Sequence, residues 1–272
     1  MAYPAFNTQN LETTLGIIQA SEESNAPVII ATSEGTIAYA GLEVMAALVR
    51  AAARSSKAMV VLHFDHGKDR RLLERAIELG YSSIMLDHSQ LPFEQNVRDT
   101  QRMVQWAHER SAWVQGEIGR MRGTEDWVSV SEAQTLLTEP DEAFRFWQAT
   151  GVDSLACAVG TVHGAIKMSA VQPQVDLPRI RAIHQRVEVP LVLHGASGVG
   201  PQIIREAIVS GISIINIDTE LRMAFTGALR KSLANNLREI DPRRLLQPAI
   251  AAIKETALVK IRQFGGSCRN AA

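Results

Sequence analysis

Cysteine is scarce in this chain of 272 residues, which holds only Cys157 and Cys268. Two cysteines in a chain of this length do not form a disulfide scaffold, so their number fits a reducing compartment. Cys157 lies inside an apolar run and is expected to be a buried thiol, whereas Cys268 lies in a polar C-terminal segment.

An excess of charge is also lacking, because the formal net charge is −1 and charged residues make up 21% of the chain. This near balance argues against a nucleic-acid-binding or membrane-surface protein. Met1–Phe6 lacks the basic start and long apolar core of a signal peptide, and no segment resembles a membrane span. We therefore expect a cytoplasmic protein with no nucleic-acid and no membrane partner.

The sequence shows no linker, no low-complexity tract and no GxGxxG turn after the first predicted strand. A second domain and an open dinucleotide-binding sheet are therefore not indicated. Hydrophobic residues make up 46% of the chain, which is enough for a large core. We expect residues 1 to 272 to form a single domain.

Strand-like and helix-like segments alternate along the whole chain. The predicted strands are the short apolar runs Tyr3–Asn7, Val28–Thr32, Met59–Phe64, Ser83–Asp87, Trp113–Gly119, Ser154–Val159, Leu191–His194 and Ile214–Asp218. The helical segments are Leu11–Ser24, Ala38–Ser55, Lys68–Leu79, Phe93–Arg110, Asp141–Thr150, Pro201–Ser210, Glu220–Asn236 and Leu246–Phe264. Eight strand units joined by helices predict an α/β fold, a (β/α)8 TIM barrel with a C-terminal helical extension.

Two connections are longer than a link between neighbouring elements requires. They are Gly119–Thr138 and Gly160–Leu177, after the fifth and sixth strands, and neither has a clear periodicity. Long loops in compact domains are often lids or binding segments, and we expect that role here.

Three histidines lie at strand ends with the same local layout, each followed directly by glycine. They are His66, His163 and His194. The carboxyl ends of parallel barrel strands converge on one face, so three imidazoles there suggest a catalytic zinc site with an open coordination position. His63 is an alternative ligand to His66. In a regular strand His63 and Asp65 lie on one face and His66 on the other, so the ligand depends on whether this alternation breaks at the terminal turn. We favour His66 because it lies at the turn.

Several carboxylates lie close to these histidines in the sequence. Asp65 adjoins His66 and is either a proton shuttle or a partner that orients a ligand. Asp87 and Glu117 end the fourth and fifth strands, where they would face the metal or hold its ligands. Glu125 and Asp126 lie on the first long loop, which could move over the site.

A phosphate site is indicated at the seventh and eighth strands. The turn His194–Gly198 follows one strand, and Asn216–Thr219 leads from the next into a helix. In barrels these two loops often bind phosphate through backbone N–H groups and a helix N-terminus. Ser197 and Thr219 offer hydroxyls, and Lys167 offers a cation.

The order of these motifs resembles the class II, zinc-dependent ketose-bisphosphate aldolases along nearly the whole chain. The matching segments are Ala5–Glu12, Leu62–Gly67, Ile84–Asn96, Gly116–Gly119, Gly160–Gly164, Leu193–Gly198, Asn216–Arg222 and Asp241–Arg243. The resemblance implies reversible cleavage of a ketose 1,6-bisphosphate to dihydroxyacetone phosphate and an aldehyde, with fructose-1,6-bisphosphate favoured over tagatose-1,6-bisphosphate. It also implies a homodimer or homotetramer.

The resemblance further implies a role for each matching residue. His66, His163 and His194 match the zinc ligands, Asp65 the acid that protonates the aldehyde oxygen in condensation, and Glu125 a mobile-loop acid. Asp87 and Glu117 match carboxylates at a second or alternative metal position, which would hold a divalent or monovalent cation. The segments that hold dihydroxyacetone phosphate match Gly164, Gly195, Ala196, Ser197, Asn216, Ile217, Asp218 and Thr219, with Lys167 as a phosphate partner.

The sequence departs from the family pattern in loops that surround the site. His88 and Gln90 appear exchanged relative to the usual order, and Arg122 stands where glycine is common. The resemblance implies that these loops select the aldehyde, so other phosphorylated ketoses stay open as substrates. A metal-dependent hydrolase and a non-catalytic partner subunit are the competing classes of function.

Overall fold

The computed structural model describes residues 1–125, 128–131, 135–164 and 174–266. The barrel has eight parallel strands, which are β1 Tyr3–Asn7, β2 Val28–Ser33, β3 Val60–Gly67, β4 Ser83–Leu86, β5 Trp113–Ile118, β8 Ser154–Cys157, β10 Leu191–Leu193 and β11 Ile212–Ile217. They close into a barrel in the order β1-β11-β10-β8-β5-β4-β3-β2, with β1 paired to both β11 and β2. The predicted TIM barrel is confirmed.

Helices alternate with these strands and surround the barrel. Within the described residues they are α1 Leu11–Ser24, α2 Glu34–Ala40, α3 Leu42–Arg54, α4 Arg70–Glu78, α5 Phe93–His108, α6 Pro140–Thr150, α7 Leu177–His184, α8 Pro201–Val209, α9 Thr219–Asn235 and α10 Pro242–Gln263. The C-terminal helix α10 packs against both α1 and α9.

The structure differs from the sequence prediction at three helices. The helix predicted at Ala38–Ser55 is divided into α2 and α3 at Gly41, whose φ of 88° ends the first helix. Helix α7 was not located from the sequence. Helix α10 begins at Pro242, before the predicted start, because the Asp241 side chain accepts a capping bond from the Arg243 N–H.

The two long loops contain a small sheet that the sequence did not predict. Strand β6 Arg122–Glu125 pairs antiparallel with β7 Val128–Val130 and parallel with β9 Val162–His163. The loop after the fifth barrel strand is therefore tied to the loop after the sixth. Strands of two to four residues carry little pattern of their own and depend on this pairing.

Buried side chains form an apolar layer between the barrel and its helices and a smaller cluster inside the barrel. Leu191 and Leu193 of β10 belong to the outer layer, whereas Val192 joins Met85 of β4 and Ala156 of β8 in the inner cluster. This alternation follows from the two-residue period of a strand. Toward the carboxyl ends of the strands, buried polar side chains take the place of the apolar ones of the inner cluster. These polar side chains define the candidate site.

Within the described residues, no single helix is long and apolar enough to cross a bilayer. The pair α2 and α3 meets the length and composition criteria together, but it is bent by 98° at their break.

Helices α1 and α10 approach each other closely at Gly16. A Cβ built on Gly16 would lie 2.5 Å from Ile253 Cγ2 and 2.8 Å from the Ile250 carbonyl oxygen. The second contact is with backbone, which cannot move aside as a flexible side chain can. Glycine at this position therefore sets the distance between the two helices.

We expect Gly16→Ala to destabilise the protein by about 1–3 kcal/mol, because the added methyl group overpacks the contact. Gly227→Ala is the matched control, since Gly227 lies in α9 with no atom within 4 Å of the added Cβ. That control should be neutral or more stable by up to about 1 kcal/mol through helix propensity. Urea unfolding measures both, and a Gly16→Ala protein as stable as wild type would contradict the packing account.

Candidate active site at the carboxyl ends of the strands

The end of β3 carries the centre of the site. Phe64 packs outward against Tyr81, with ring centroids 5.9 Å apart, so strand alternation directs Asp65 to the barrel interior. His66 should then face outward, but its φ of 51° is left-handed and the β3–β4 register shifts between Phe64 and Gly67. The expected alternation fails here, and Asp65 and His66 lie on the same side.

Asp65 is fully buried and held by side-chain amides. Asn7 Nδ2 donates to Asp65 Oδ2 at 2.9 Å, and Asn216 Nδ2 lies 3.4 Å from the same oxygen. The other oxygen, Oδ1, lies 3.8 Å from His63 Nε2 and 4.0 Å from His66 Nε2. One carboxylate oxygen is thus positioned by β1 and β11, and the other faces the imidazoles.

His66 and His194 meet directly across the mouth of the barrel. His66 Nε2 lies 2.9 Å from His194 Nδ1, and the two rings are nearly perpendicular at 78°. On its other side, His66 Nδ1 donates to Asp87 Oδ2 at 2.9 Å and lies 3.6 Å from Glu117 Oε2. Because Asp87 accepts the Nδ1 proton, the neutral His66 ring presents the lone pair of Nε2 to His194.

Burial and hydrogen bonding act in opposite directions on Asp87. Burial would raise its pKa, but the hydrogen bond from His66, together with the Ser89 hydroxyl and N–H donors, holds the pKa well below its usual value. Asp87 is therefore an ionised acceptor. It fixes both the orientation and the tautomer of His66.

His63, the alternative ligand, has a different environment. Burial lowers the pKa of His63 to about 4, against an opposing effect of the Asp65 charge, and the neighbouring His66 lowers it further. Its Nδ1 is 2.8 Å from the Ser83 hydroxyl. Within the described residues His63 is not part of a cluster whose donor atoms converge as metal ligands would.

Two overlapping groups of donors could hold a metal ion. The first is Asp65, His66 and His194, and the second is His66, Asp87 and Glu117; in each, the donor atoms lie within 4.8 Å of one another. Imidazole nitrogen and carboxylate oxygen are donors that zinc accepts in catalytic sites. The residues present therefore fit a zinc ion, with Asp87 orienting His66 from the outer shell.

The loop after β10 is held in place by an ion pair between the partly exposed Glu220 and the buried Lys260. Glu220 Oε1 accepts from the Gly198 N–H at 2.7 Å and from Lys260 Nζ at 2.8 Å, and Lys260 is only 7% exposed. This contact joins α9 and α10 to the turn that contains Gly195, Ala196 and Ser197. Gly195 has a φ of 64°, which a side chain would strain.

Helix α9 begins directly after β11, at the same face of the barrel. Asn216 and Ile217 end the strand and are buried, and Thr219 opens the helix. Asp218 makes no side-chain cap to the helix; its carboxylate accepts instead from Gln9 Nε2 at 2.9 Å and from the Arg222 guanidinium. The α9 N-terminus therefore carries the partial positive charge of its backbone N–H groups close to the loop after β10.

Several predicted site residues lie partly or wholly outside the described residues. The backbones of His163 and Glu125 are placed in β9 and β6, but their side chains are not described. Lys167 and Asp126 lie outside the described residues altogether. Gly164 is described and has a φ of 81° beside His163.

Some residues that shape the site were not predicted from the sequence. Asn7 is one of them. It could have been found, because it is a polar residue at the end of a strand, which is the signal that identified Asp87 and Glu117. Gln115, which contacts His194, lies inside β5 and resembles an ordinary buried polar residue. The Glu220–Lys260 pair joins residues 40 positions apart and has no local signal.

A parallel barrel that brings two imidazoles and three carboxylates together at its strand ends defines a candidate metal site of the TIM-barrel class. The comparisons with known proteins agree with this class. A family model described as fructose-bisphosphate aldolase class-II matches residues 1–269. A fructose-bisphosphate aldolase from Thermus caldophilus is 42% identical over 282 residues, covering 96% of this chain and 92% of that protein.

Solved structures show the same similarity. The crystal structure of the YdjI aldolase from Escherichia coli K12 aligns with a TM-score of 0.84 at 33% identity, covering 98% of this chain and 92% of that one. A fructose-bisphosphate aldolase from Campylobacter jejuni aligns with a TM-score of 0.84 at 20% identity, covering 99% and 91%, and supports the fold alone. The chain belongs to the class-II fructose-bisphosphate aldolase family. It is a carbon–carbon lyase with ketose-bisphosphate aldolase activity.

The low pKa of His63 predicts a loss of stability in acid. In the unfolded chain this imidazole takes up a proton below about pH 6.5, whereas in the folded protein it stays neutral down to about pH 4. Stability therefore falls as the pH drops through this window. Between pH 7 and pH 5 we expect His63 to account for a loss of about 2 kcal/mol.

Urea unfolding at the two pH values tests this expectation. His63→Asn, which has no titrating group, should lose about 2 kcal/mol less than wild type on acidification. His184→Asn is the control, because the His184 side chain is exposed. An equal loss in wild type and His63→Asn would contradict the assignment of a neutral, buried His63.

Proposed function

We propose that the chain is a zinc-dependent aldolase that reversibly cleaves fructose-1,6-bisphosphate to dihydroxyacetone phosphate and glyceraldehyde 3-phosphate. The observation that carries the proposal is the convergence of His66 Nε2 and His194 Nδ1 at 2.9 Å beside the buried Asp65 carboxylate. In the proposed site His66, His163 and His194 hold the zinc. When bound, the zinc supplies Lewis acidity that stabilises negative charge developing on the substrate oxygens.

Asp65 is proposed as the group that moves the proton on the aldehyde side of the cleaved bond. It takes a proton from the hydroxyl during cleavage and returns it to the aldehyde oxygen during condensation. The amide donors of Asn7 and Asn216 hold Oδ2 and leave Oδ1 on the imidazole side. Glu125, on β6, is proposed to move the proton at the carbon of dihydroxyacetone phosphate.

The phosphate of dihydroxyacetone phosphate is proposed to bind between the loop after β10 and the start of α9. Backbone N–H groups of Gly195, Ala196 and Ser197 and the N-terminus at Thr219 supply donors. The same proposal assigns Asn216, Ile217 and Asp218 to the wall of this site, Gly164 to its opposite side, and Lys167 as a cation. Lys167 acts as a phosphate partner and not as a Schiff-base nucleophile.

Asp87 and Glu117 are proposed to have a double role. With His66 they form the second donor group, which would suit a second or alternative divalent cation or a monovalent one. The 2.9 Å bond from His66 Nδ1 to Asp87 supports a role in orienting the zinc ligand whether or not that position is used.

The wider organisation is proposed on the resemblance and the composition. We propose that residues 1 to 272 act as one domain, that the chain assembles as a homodimer or homotetramer, and that it functions in the cytoplasm. Tagatose-1,6-bisphosphate is the second candidate substrate, because Arg122 and the segment of His88 and Gln90 depart from the family pattern at loops near the site.

An assay of the purified protein on a panel of phosphorylated ketoses, with and without chelator, tests this proposal. We expect release of dihydroxyacetone phosphate from fructose-1,6-bisphosphate, loss of that release after zinc is removed, and recovery when zinc returns. Faster release from tagatose-1,6-bisphosphate would change the substrate. Chelator-resistant release would overturn the zinc proposal, and hydrolysis without dihydroxyacetone phosphate would indicate a hydrolase.

Replacing Asp65 separates its proton-transfer role from metal binding. We expect Asp65→Ala to bind zinc in the wild-type ratio and to lose turnover by about 10²–10⁴-fold, the usual contribution of a general acid or base. Asp141→Asn, an exposed carboxylate on α6, is the control. Zinc content and steady-state turnover are the measurements, and an Asp65→Ala protein with wild-type turnover would exclude the assigned role.

A further inference from the structure

Gln115 is a buried amide that neither the sequence nor the comparisons assign to the site. It lies on β5 opposite Met85 of β4 in register, faces the barrel interior and is 4% exposed. Its Nε2 lies 3.0 Å from His194 Nε2 and 3.2 Å from Met85 Sδ. Gln115 thus contacts the ring nitrogen of His194 that points away from His66.

The direction of these hydrogen bonds determines where His194 carries its proton. An amide N–H only donates, so His194 Nε2 accepts from Gln115 and the neutral ring is protonated at Nδ1. Nδ1 then donates to His66 Nε2, 2.9 Å away, and His66 Nδ1 donates to Asp87. A consistent chain of donors runs from Gln115 through both imidazoles to the Asp87 carboxylate.

If His194 held a metal through the ring nitrogen that faces His66, its ring would need the opposite tautomer. The ring nitrogen that faces His66 is Nδ1, and a metal ligand needs a lone pair there. The imidazole stays neutral, but its proton must be on Nε2, where it needs an acceptor. Gln115 meets that need if its amide turns by about half a rotation and presents its carbonyl oxygen to His194.

We infer that Gln115 is a positioning residue for His194, with one amide orientation for the metal-free imidazole pair and the other for the metal ligand. The inference rests on the proposed function, because it assumes a metal at His66 and His194. Asp87, an ionised carboxylate, only accepts and holds His66 in a single tautomer, whereas an amide serves His194 in both. The tautomer of His66 is therefore fixed by its partner, whereas that of His194 is not. We infer that the contact of Gln115 with His194 affects how tightly the site binds the metal.

The test compares zinc affinity in wild type and Gln115→Met by competition with a chelator. Methionine matches glutamine in length but offers no N–H donor and no carbonyl, so His194 loses its acceptor. We expect zinc to bind about 10- to 100-fold more weakly, as for other lost outer-shell partners. Gln148→Met, on the exposed side of α6, is the control and should bind zinc as wild type does.

Nitrogen-15 NMR of the histidine rings gives a readout that does not depend on activity. In wild type we expect His194 to be protonated at Nδ1 without zinc and at Nε2 with zinc. In Gln115→Met the proton should no longer be fixed at Nδ1 in the metal-free protein. His194 protonated at Nε2 in both wild-type states would overturn the two-orientation inference.

The outcomes separate the inference from the function on which it rests. Wild-type protein that binds no zinc overturns the proposed function. Wild type and Gln115→Met with equal zinc affinity overturn the inference alone. If Gln115→Met does not fold, Gln115→Glu replaces it: an ionised carboxylate only accepts, so zinc should bind more tightly, and weaker binding would refute the inference.

Discussion

The left-handed backbone of His66 is the constraint on which the candidate site depends. Without it, alternation along β3 would send Asp65 into the barrel and His66 out toward the helices. A non-glycine residue in this conformation is unfavourable by about 1–3 kcal/mol, and the surrounding contacts must hold it. The Nδ1 bond to Asp87 and the bond from the Asp87 N–H to the Gly67 carbonyl supply such contacts on both sides of the turn.

The second constraint on the candidate site is the negative charge of the carboxylates gathered around His66. Three carboxylates, those of Asp65, Asp87 and Glu117, have an oxygen within 4.0 Å of a His66 ring nitrogen. All three side chains are largely screened from water. Buried carboxylates require donors or a cation. Amides and hydroxyls from Asn7, Asn216 and Ser89 meet part of that need, and a divalent cation between the imidazoles would meet much of the rest.

Strand number, barrel closure and the residues at the strand ends were predictable, because apolar runs and their spacing are local properties of the sequence. The separation of α2 from α3 at Gly41 and the left-handed His66 were not, since both depend on how the chain packs. Gln115 was missed because its role exists only through His194, 79 residues away. The side-chain roles of His163, Glu125 and Lys167 stay predictions.

The contact of Lys260 with Glu220 connects helix α10 to the turn after β10, in addition to its packing on the outside of the barrel. Through Glu220 this last helix reaches the Gly198 turn, so the shape of this side of the candidate site is linked to a segment that follows all eight strands. Substitutions in α10 that displace Lys260 would therefore move this turn while every residue of the turn itself stays the same. Relatives with the same motifs but divergent final helices need not share one specificity.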